Sequence, residues 1–284
     1  MNTTPHTEFS EWVTEFSQRF EDAFVKSAPE IVREFFKRDL SFRDEYGYRL
    51  HDVKAFVPHS KKIKETEGAA AYLKFYWVDF ARNMDAYSVV TKWRFTEIIG
   101  QAIHCLNNRN YVAAAVLARS GLELSASFVD NSRFLGHNLK LVNERMDSSD
   151  KTVVLSKDLE DFSLRIMWGT RLGTPPPELV QNNVLGVIKR LSRIEPAKQL
   201  IGVYEFLCEA AHPNVVGNKV YFDRVRQSNK DGSVSLLLNR YAFSDGSKAL
   251  VEKTLWAISW GCVGTENAYQ GFDGDLKSFL QRFQ

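Results

Sequence analysis

The chain has 284 residues, with 37 basic and 35 acidic side chains and a formal net charge of +2. Its 44% hydrophobic and 25% charged residues match an ordinary globular protein, and 13% aromatic residues exclude a disordered chain. The charge balance excludes a strongly basic nucleic-acid sleeve or an acidic tail as the dominant feature, and the length suffices for one or two domains.

Phe9, Trp12, Val13, Phe16, Phe20, Ala23 and Phe24 recur at helical spacing and predict one amphipathic helix, with Thr7 or Ser10 as its cap. Its aromatic face is a candidate interface. Pro29 predicts the start of a second helix that carries Ile31, Val32, Phe35 and Phe36. The first sixty residues hold 8 basic and 11 acidic side chains, a local net of −3. From Asp39 to Gly68 the periodicity fades, and Gly47, Pro58 and Gly68 predict a loop-rich connection. The basic run Lys61–Lys64 reads there as solvated surface, with a phosphate contact as the alternative.

Helical patterning resumes near Ala69 and runs through Asp85–Leu106, with a short turn at Asn107 and Asn108. Between Asn110 and Val129 the only charges are Arg119 and Glu123, which predicts the central, buried helix of a bundle. Ala113, Ala114, Ala115 and Gly121 would let neighbouring helices approach closely. Further helices are expected over Ser156–Trp168, Pro177–Ile194 and Pro196–Ala211. Val220–Phe222 and Val234–Leu238 are β-prone runs joined through Asp231-Gly232, a hairpin signal, and a last helix fits Ser247 to about Cys262. The expected fold class is mainly α, a helical bundle with a small C-terminal β-hairpin insertion near residues 218–243. Residues 1–84 would form an N-terminal helical region and residues 85–284 the bundle.

Cys105, Cys208 and Cys262 are far apart and in apolar contexts, which speaks for a reducing, cytoplasmic protein without a disulfide framework or zinc site. No signal peptide is visible at the N-terminus, and the longest uncharged stretch, Thr254–Thr265, is too short to cross a bilayer, so no membrane partner is expected.

Two constellations could carry chemistry. Arg119 and Glu123 share one face of the central helix together with Val112, Ala115, Leu122 and Ala126, which places both charges in or near the core. Buried charge is costly unless paired, so the two are read either as a register-fixing ion pair or as part of a site. Glu205, Glu209 and His212 form a polar stripe on the helix before Pro213. Pro213 disfavours helical geometry at His212, so the imidazole belongs at the helix C-terminus, where the dipole favours its cationic form. His212 is then a general acid or a phosphate-holding cation, or simply the cap of a solvated face. Glu209-x-x-His212 matches half of a di-iron ligand set, but the required second copy is missing. Cofactor fingerprints are also missing: Gly169–Gly173 has neither dinucleotide nor P-loop spacing, and no nucleophile elbow occurs. The expectation is no cofactor and no metal.

The run Tyr111-Val-Ala-Ala-Ala-Val-Leu-Ala-Arg-Ser-Gly-Leu-Glu123 resembles the L-x-R-S-x-L-E helix of bacterial HEPN-like helical domains. Tyr204-Glu-Phe-Leu-Cys-Glu-Ala-Ala-His-Pro-Asn214 is similar to their later Y-x-x-L-S-E-x-x-H-P-N helix end, in the expected order. The resemblance covers roughly Asp85 to Trp260 and implies an all-α bundle, often dimeric. Many such proteins are RNA-cutting toxins or antiphage effectors, and others are binding or regulatory modules. The ribonuclease members carry Arg-x(4–6)-His; here Leu207, Phe206 and Glu205 stand at the arginine positions before His212, and Arg133 is one residue too close to His137. What remains is a helical scaffold or binding module, with a homo-oligomer or a partner protein as its partner, in bacterial stress or phage defence. The alternative is an effector directed at RNA or a nucleotide through a composite site of Arg119, Glu123, Glu209 and His212. Gln181–Lys230, with 8 basic and 4 acidic residues, could then meet phosphates.

Overall fold

The computed structural model describes residues 7–49, 53–148 and 155–284. It is mainly α, with a single antiparallel pair of strands among the described residues. The chain forms two compact units, each assembled from separated segments. The boundary expected between residues 84 and 85 falls inside one continuous helix, α5 (Ala69–Asn107).

The first unit comprises residues 1–42, 93–127 and 184–266. The single N-terminal helix expected over residues 9–24 is two, α1 (Glu11–Ser17) and α2 (Ala23–Lys26). Asp22 is the cause of the break, since its carboxylate accepts from the N–H groups of Phe24 and Val25 at 2.9 and 3.2 Å and starts a new helix. The aromatic face is not left for a partner: Trp12 and Phe16 pack edge-to-face on Phe243, and Phe24 on Trp256. Next come α3 (Ala28–Asp39), with Pro29 in its first turn as expected, and the C-terminal part of α5. Arg109, with φ of 60°, turns the chain into α6 (Tyr111–Ser148). The first half of α6 buries one strip, with Ala114, Ala115, Ala118, Leu122 and Ala126 all at 0% exposure, while Ala113 and Val116 are exposed, so the helix is not enclosed on all sides as its composition predicts. A Cβ at Gly121 would stand 2.6 Å from Ile99, so this crossing depends on glycine.

Pro177–Leu179 is only a short 3-10 turn, and the helix expected from Pro177 begins later, as α8 (Val184–Leu191). It is followed by α9 (Leu200–Ala211), α10 (Val215–Lys219), β1 (Phe222–Ser228), β2 (Val234–Leu238) and α11 (Asp245–Leu280). The hairpin stands where it was expected, and Gly232 takes the φ of 83° that its turn requires. The last helix extends far past Cys262 because the glycines after it are flanked by apolar residues at helical spacing.

The second unit comprises residues 43–92, 128–183 and 267–284. Its core joins Trp77 and Met84 of α5, Phe128 and Leu135 of α6, and Phe272 and Phe279 of α11. Phe162 adds to it from α7 (Lys157–Trp168), which Ser156 caps at Leu159 N. The loop expected over residues 39–68 contains α4 (Val53–Thr66), and residues 50–52 of that stretch lie outside the described residues. Pro58 and the lysines hide the pattern, but Phe56, His59 and Ile63 recur at helical spacing and lysine and glutamate are good helix formers. Gly68, with φ of 88°, stops α4 and lets α5 start at once.

Candidate functional site

Arg119 and Glu123 lie on α6, one turn apart, against Tyr204 and Cys208 on α9, also one turn apart. The Arg119 guanidinium is 3.0 Å from Glu123 Oε1, and its carbon stands 5.5 Å from the centre of the Tyr204 ring. The charges are not in the core: the side chains keep 28% and 29% of their exposure. They flank the buried strip of α6 because the apolar residues at 114, 118, 122 and 126 take the inward positions. Burial alone would lower the Arg119 pKa, but Tyr204 and Glu123 outweigh it and hold the cation above its ordinary range. Tyr204, 8% exposed, is pushed up to about 12, first by burial and then by its neighbours Cys208 and Glu123, while Arg119 pulls the other way. At neutral pH these shifts keep Arg119 a guanidinium cation and Tyr204 a neutral phenol.

His212 caps the C-terminal end of α9 with φ of −91° and ψ of 154°, the extended geometry its Pro213 neighbour demands. It is exposed, as are Glu205 and Glu209. The Asn214 amide donates to Glu209 Oε2, and Asn214 Oδ1 accepts from Val216 N at 3.1 Å, so Glu209 is tied to the following turn and not to the imidazole. Thus the structure brings Arg119 to Glu123 and Tyr204, and Glu209 to Asn214. It makes no hydrogen bond or ion pair between either set and His212. A composite Arg119–His212 centre is not assembled. Among the described residues no group of three His, Cys, Asp or Glu side chains is placed to hold a metal.

Two recesses are lined by residues that no sequence motif marks. In the second unit a cavity of about 500 Å³ lies between α4 and α5. From α5 it receives Phe75, Val78, Asp79 and Arg82, which share one helix face, and from α4 Phe56 and His59. Arg49 borders it from the preceding segment. Phe56 and Phe75 lie 5.4 Å apart between ring centres, and His59 meets Phe75 edge-on at 5.4 Å. Arg82 is 3.6 Å from Asp79, and Asp79 accepts from Asn83 at 3.5 Å. Tyr48 donates to Asn83 Oδ1 at 2.7 Å, which fixes the segment carrying Arg49 against α5. The spacing 75, 78, 79, 82 marks one helix face in the sequence, and that face becomes a wall only because α4 is a helix facing it. In the first unit a recess of about 150 Å³ is bordered by Arg109 and the first turn of α6 on one side and by Tyr221 and Arg240 on the other.

The basic run of α4 reaches neither recess; Lys61 pairs with Glu65 at 3.7 Å on an exposed face, and Lys64 lies over Tyr72. By length and composition alone α6 is able to cross a membrane, a feature the uncharged stretch at Thr254–Thr265 does not reveal. Within its most apolar stretch 44% is buried inside the protein. Comparison with models of known families, with curated proteins and with solved structures finds no match to this chain.

Proposed function

We propose that this protein is a helical scaffold or binding module, dimeric and cytoplasmic, of the HEPN-like kind suggested by the segments ending in Glu123 and Asn214, and that it serves bacterial stress or phage defence without cutting RNA. One observation carries this reading. Arg119, the cation an RNA-cutting centre would need beside His212, is engaged by Glu123 and the face of Tyr204, while His212 caps α9 in solvent. A half-buried pair of this kind orients two helices against each other and keeps Arg119 from the charge that develops on a transferring phosphate.

The alternative, an effector directed at RNA or a nucleotide, draws on a feature outside the set Arg119, Glu123, Glu209 and His212. Arg109 and Arg240 border one small recess beside the first turn of α6, where N–H groups lack intrahelical acceptors. Expression of the wild type and of His212→Ala in a bacterium separates the readings. The binding-module reading expects equal growth and intact RNA in both strains. Growth arrest with RNA cleavage by the wild type, lost in His212→Ala, would overturn it.

A further inference from the structure

We propose that the recess between α4 and α5 is a binding site for a small molecule that combines an aromatic ring with an anionic group. The inference concerns the second unit alone and does not depend on how Arg119 and His212 are read.

Size comes first. About 500 Å³ falls within the range of roughly 300–1,000 Å³ typical of small-molecule sites, and exceeds what a lone inorganic anion would fill. The chemistry of the wall comes second. Phe56, Phe75 and Val78 give the recess an apolar side on which a planar ring can lie. The polar side is cationic: Arg49 and Arg82 against Asp79 leave a net +1 with His59 neutral. These two arginines differ. Arg82 is held by Asp79, whose second partner is Asn83, so its position is fixed before any ligand arrives. Arg49 is exposed and makes no ion pair with a carboxylate among the described residues. Its backbone is nevertheless anchored, because the neighbouring Tyr48 is hydrogen-bonded to Asn83. A guanidinium carried on an anchored segment, with no carboxylate partner among the described residues and at the rim of a partly aromatic cavity, suits a carboxylate or a phosphate on the ligand, which it can meet with two parallel N–H donors. His59 adds a ring nitrogen to the lining, and Asp79 can accept from a ligand N–H or O–H. A ring without an anion would leave Arg49 unused, and an anion without a ring would leave the aromatic wall wet. Both parts are therefore required.

Isothermal titration calorimetry on the full chain tests this with four probes. Adenosine 5′-monophosphate and indole-3-acetate each join a ring to an anion, one a phosphate and the other a carboxylate. Adenosine lacks the anion, and inorganic phosphate lacks the ring. At least one of the first two should bind with Kd at or below about 1 mM, and the last two at least about tenfold more weakly. The better of the first two identifies the source of the anion. Arg49→Ala should raise that Kd about tenfold or more with an unchanged unfolding temperature, since Arg49 is exposed. Val78→Trp should abolish binding by filling the recess; if that variant does not fold, Arg49→Ala decides. The proposal is overturned if neither ring-bearing anion binds at about 10 mM, if adenosine binds as well as they do, or if Arg49→Ala binds like the wild type.

Discussion

At the scale of single residues, the Arg119 cluster illustrates how a charged pair on a nearly uncharged helix can lie beside the core and not within it. The composition of residues 110–129 predicts a helix buried all round, yet only one strip of it is buried, and sequence spacing alone cannot say which face meets the core most closely. The small residues take that place, and the long side chains of Arg119 and Glu123 run along the flank with their charged ends partly in water. Tyr204 completes the arrangement from α9, and it gives the cluster a pH signature. Its folded pKa is raised to about 12, above the ordinary value of 10.0, so the native state holds this proton more firmly than the unfolded chain does. The associated stability is complete below pH 10 and is lost as pH climbs toward 12. Tyr46 has a similarly raised value, so the wild type alone cannot isolate the effect. Tyr204→Phe should therefore lose stability less steeply than the wild type between pH 10 and 12, in urea unfolding followed by circular dichroism. Parallel pH profiles for the two proteins would remove Tyr204 from this role.

At the scale of elements, the helices were legible where apolar periodicity was strong and their ends where a specific side chain marks them. Pro29 starts α3, Ser156 caps α7, and His212 ends α9, each by local chemistry that sequence carries openly. Two errors have physical causes. In the N-terminal segment an unbroken apolar rhythm conceals the break, because Asp22 caps a new helix without disturbing the spacing of the phenylalanines around it. In α4 the reverse holds, since Pro58 and a polar composition weaken a rhythm that packing against α5 nonetheless rewards. The recess is hidden in the sequence for the same reason, since its two walls are faces of α4 and α5. The close crossing at Gly121 was legible as a small-residue position, and it makes a strong test of the first unit. A Cβ there would be 2.6 Å from Ile99 Cδ1, and Phe95 lies just beyond at 3.6 Å. Both neighbours are fully buried and cannot move aside into solvent. Gly121→Val should lower stability by roughly 1–3 kcal/mol, the usual cost of overpacking, measured by urea unfolding. A change below about 0.5 kcal/mol, the size of an ordinary surface substitution, would mean that the crossing has slack.

At the scale of the whole molecule, the mainly α class and the hairpin were legible, whereas the partition into units was not. Each unit draws on three stretches of chain, and α5, α6 and α11 each supply residues to both. A boundary between domains leaves a mark in sequence when it falls in a polar linker; here it falls within continuous helices, where nothing interrupts the pattern. The hairpin is a different kind of part. Its ladder pairs Phe222 with Leu238, Val225 with Leu236 and Ser228 with Val234, which sets those side chains on one face of the strands. That face remains open: Val225 is 58% exposed and Leu238 61%. Almost nothing in the two strands is buried, so they contribute little to the apolar core that holds the helices together. At the base of the hairpin, by contrast, Asn239 N donates to the Tyr221 carbonyl at 2.9 Å, and Ser247 Oγ donates to the carbonyls of Val220 and Ala242 at 3.3 and 2.8 Å. A chain in which residues 222–238 are replaced by Asn-Gly keeps that base and closes it with a two-residue turn suited to antiparallel strands. It should unfold in one transition within about 3 °C of the full chain, a shift that corresponds to about 1 kcal/mol for a protein of this size. Differential scanning calorimetry reads the shift. A loss of more than about 10 °C would mean that the strands stabilise the helices after all, through a route other than buried area.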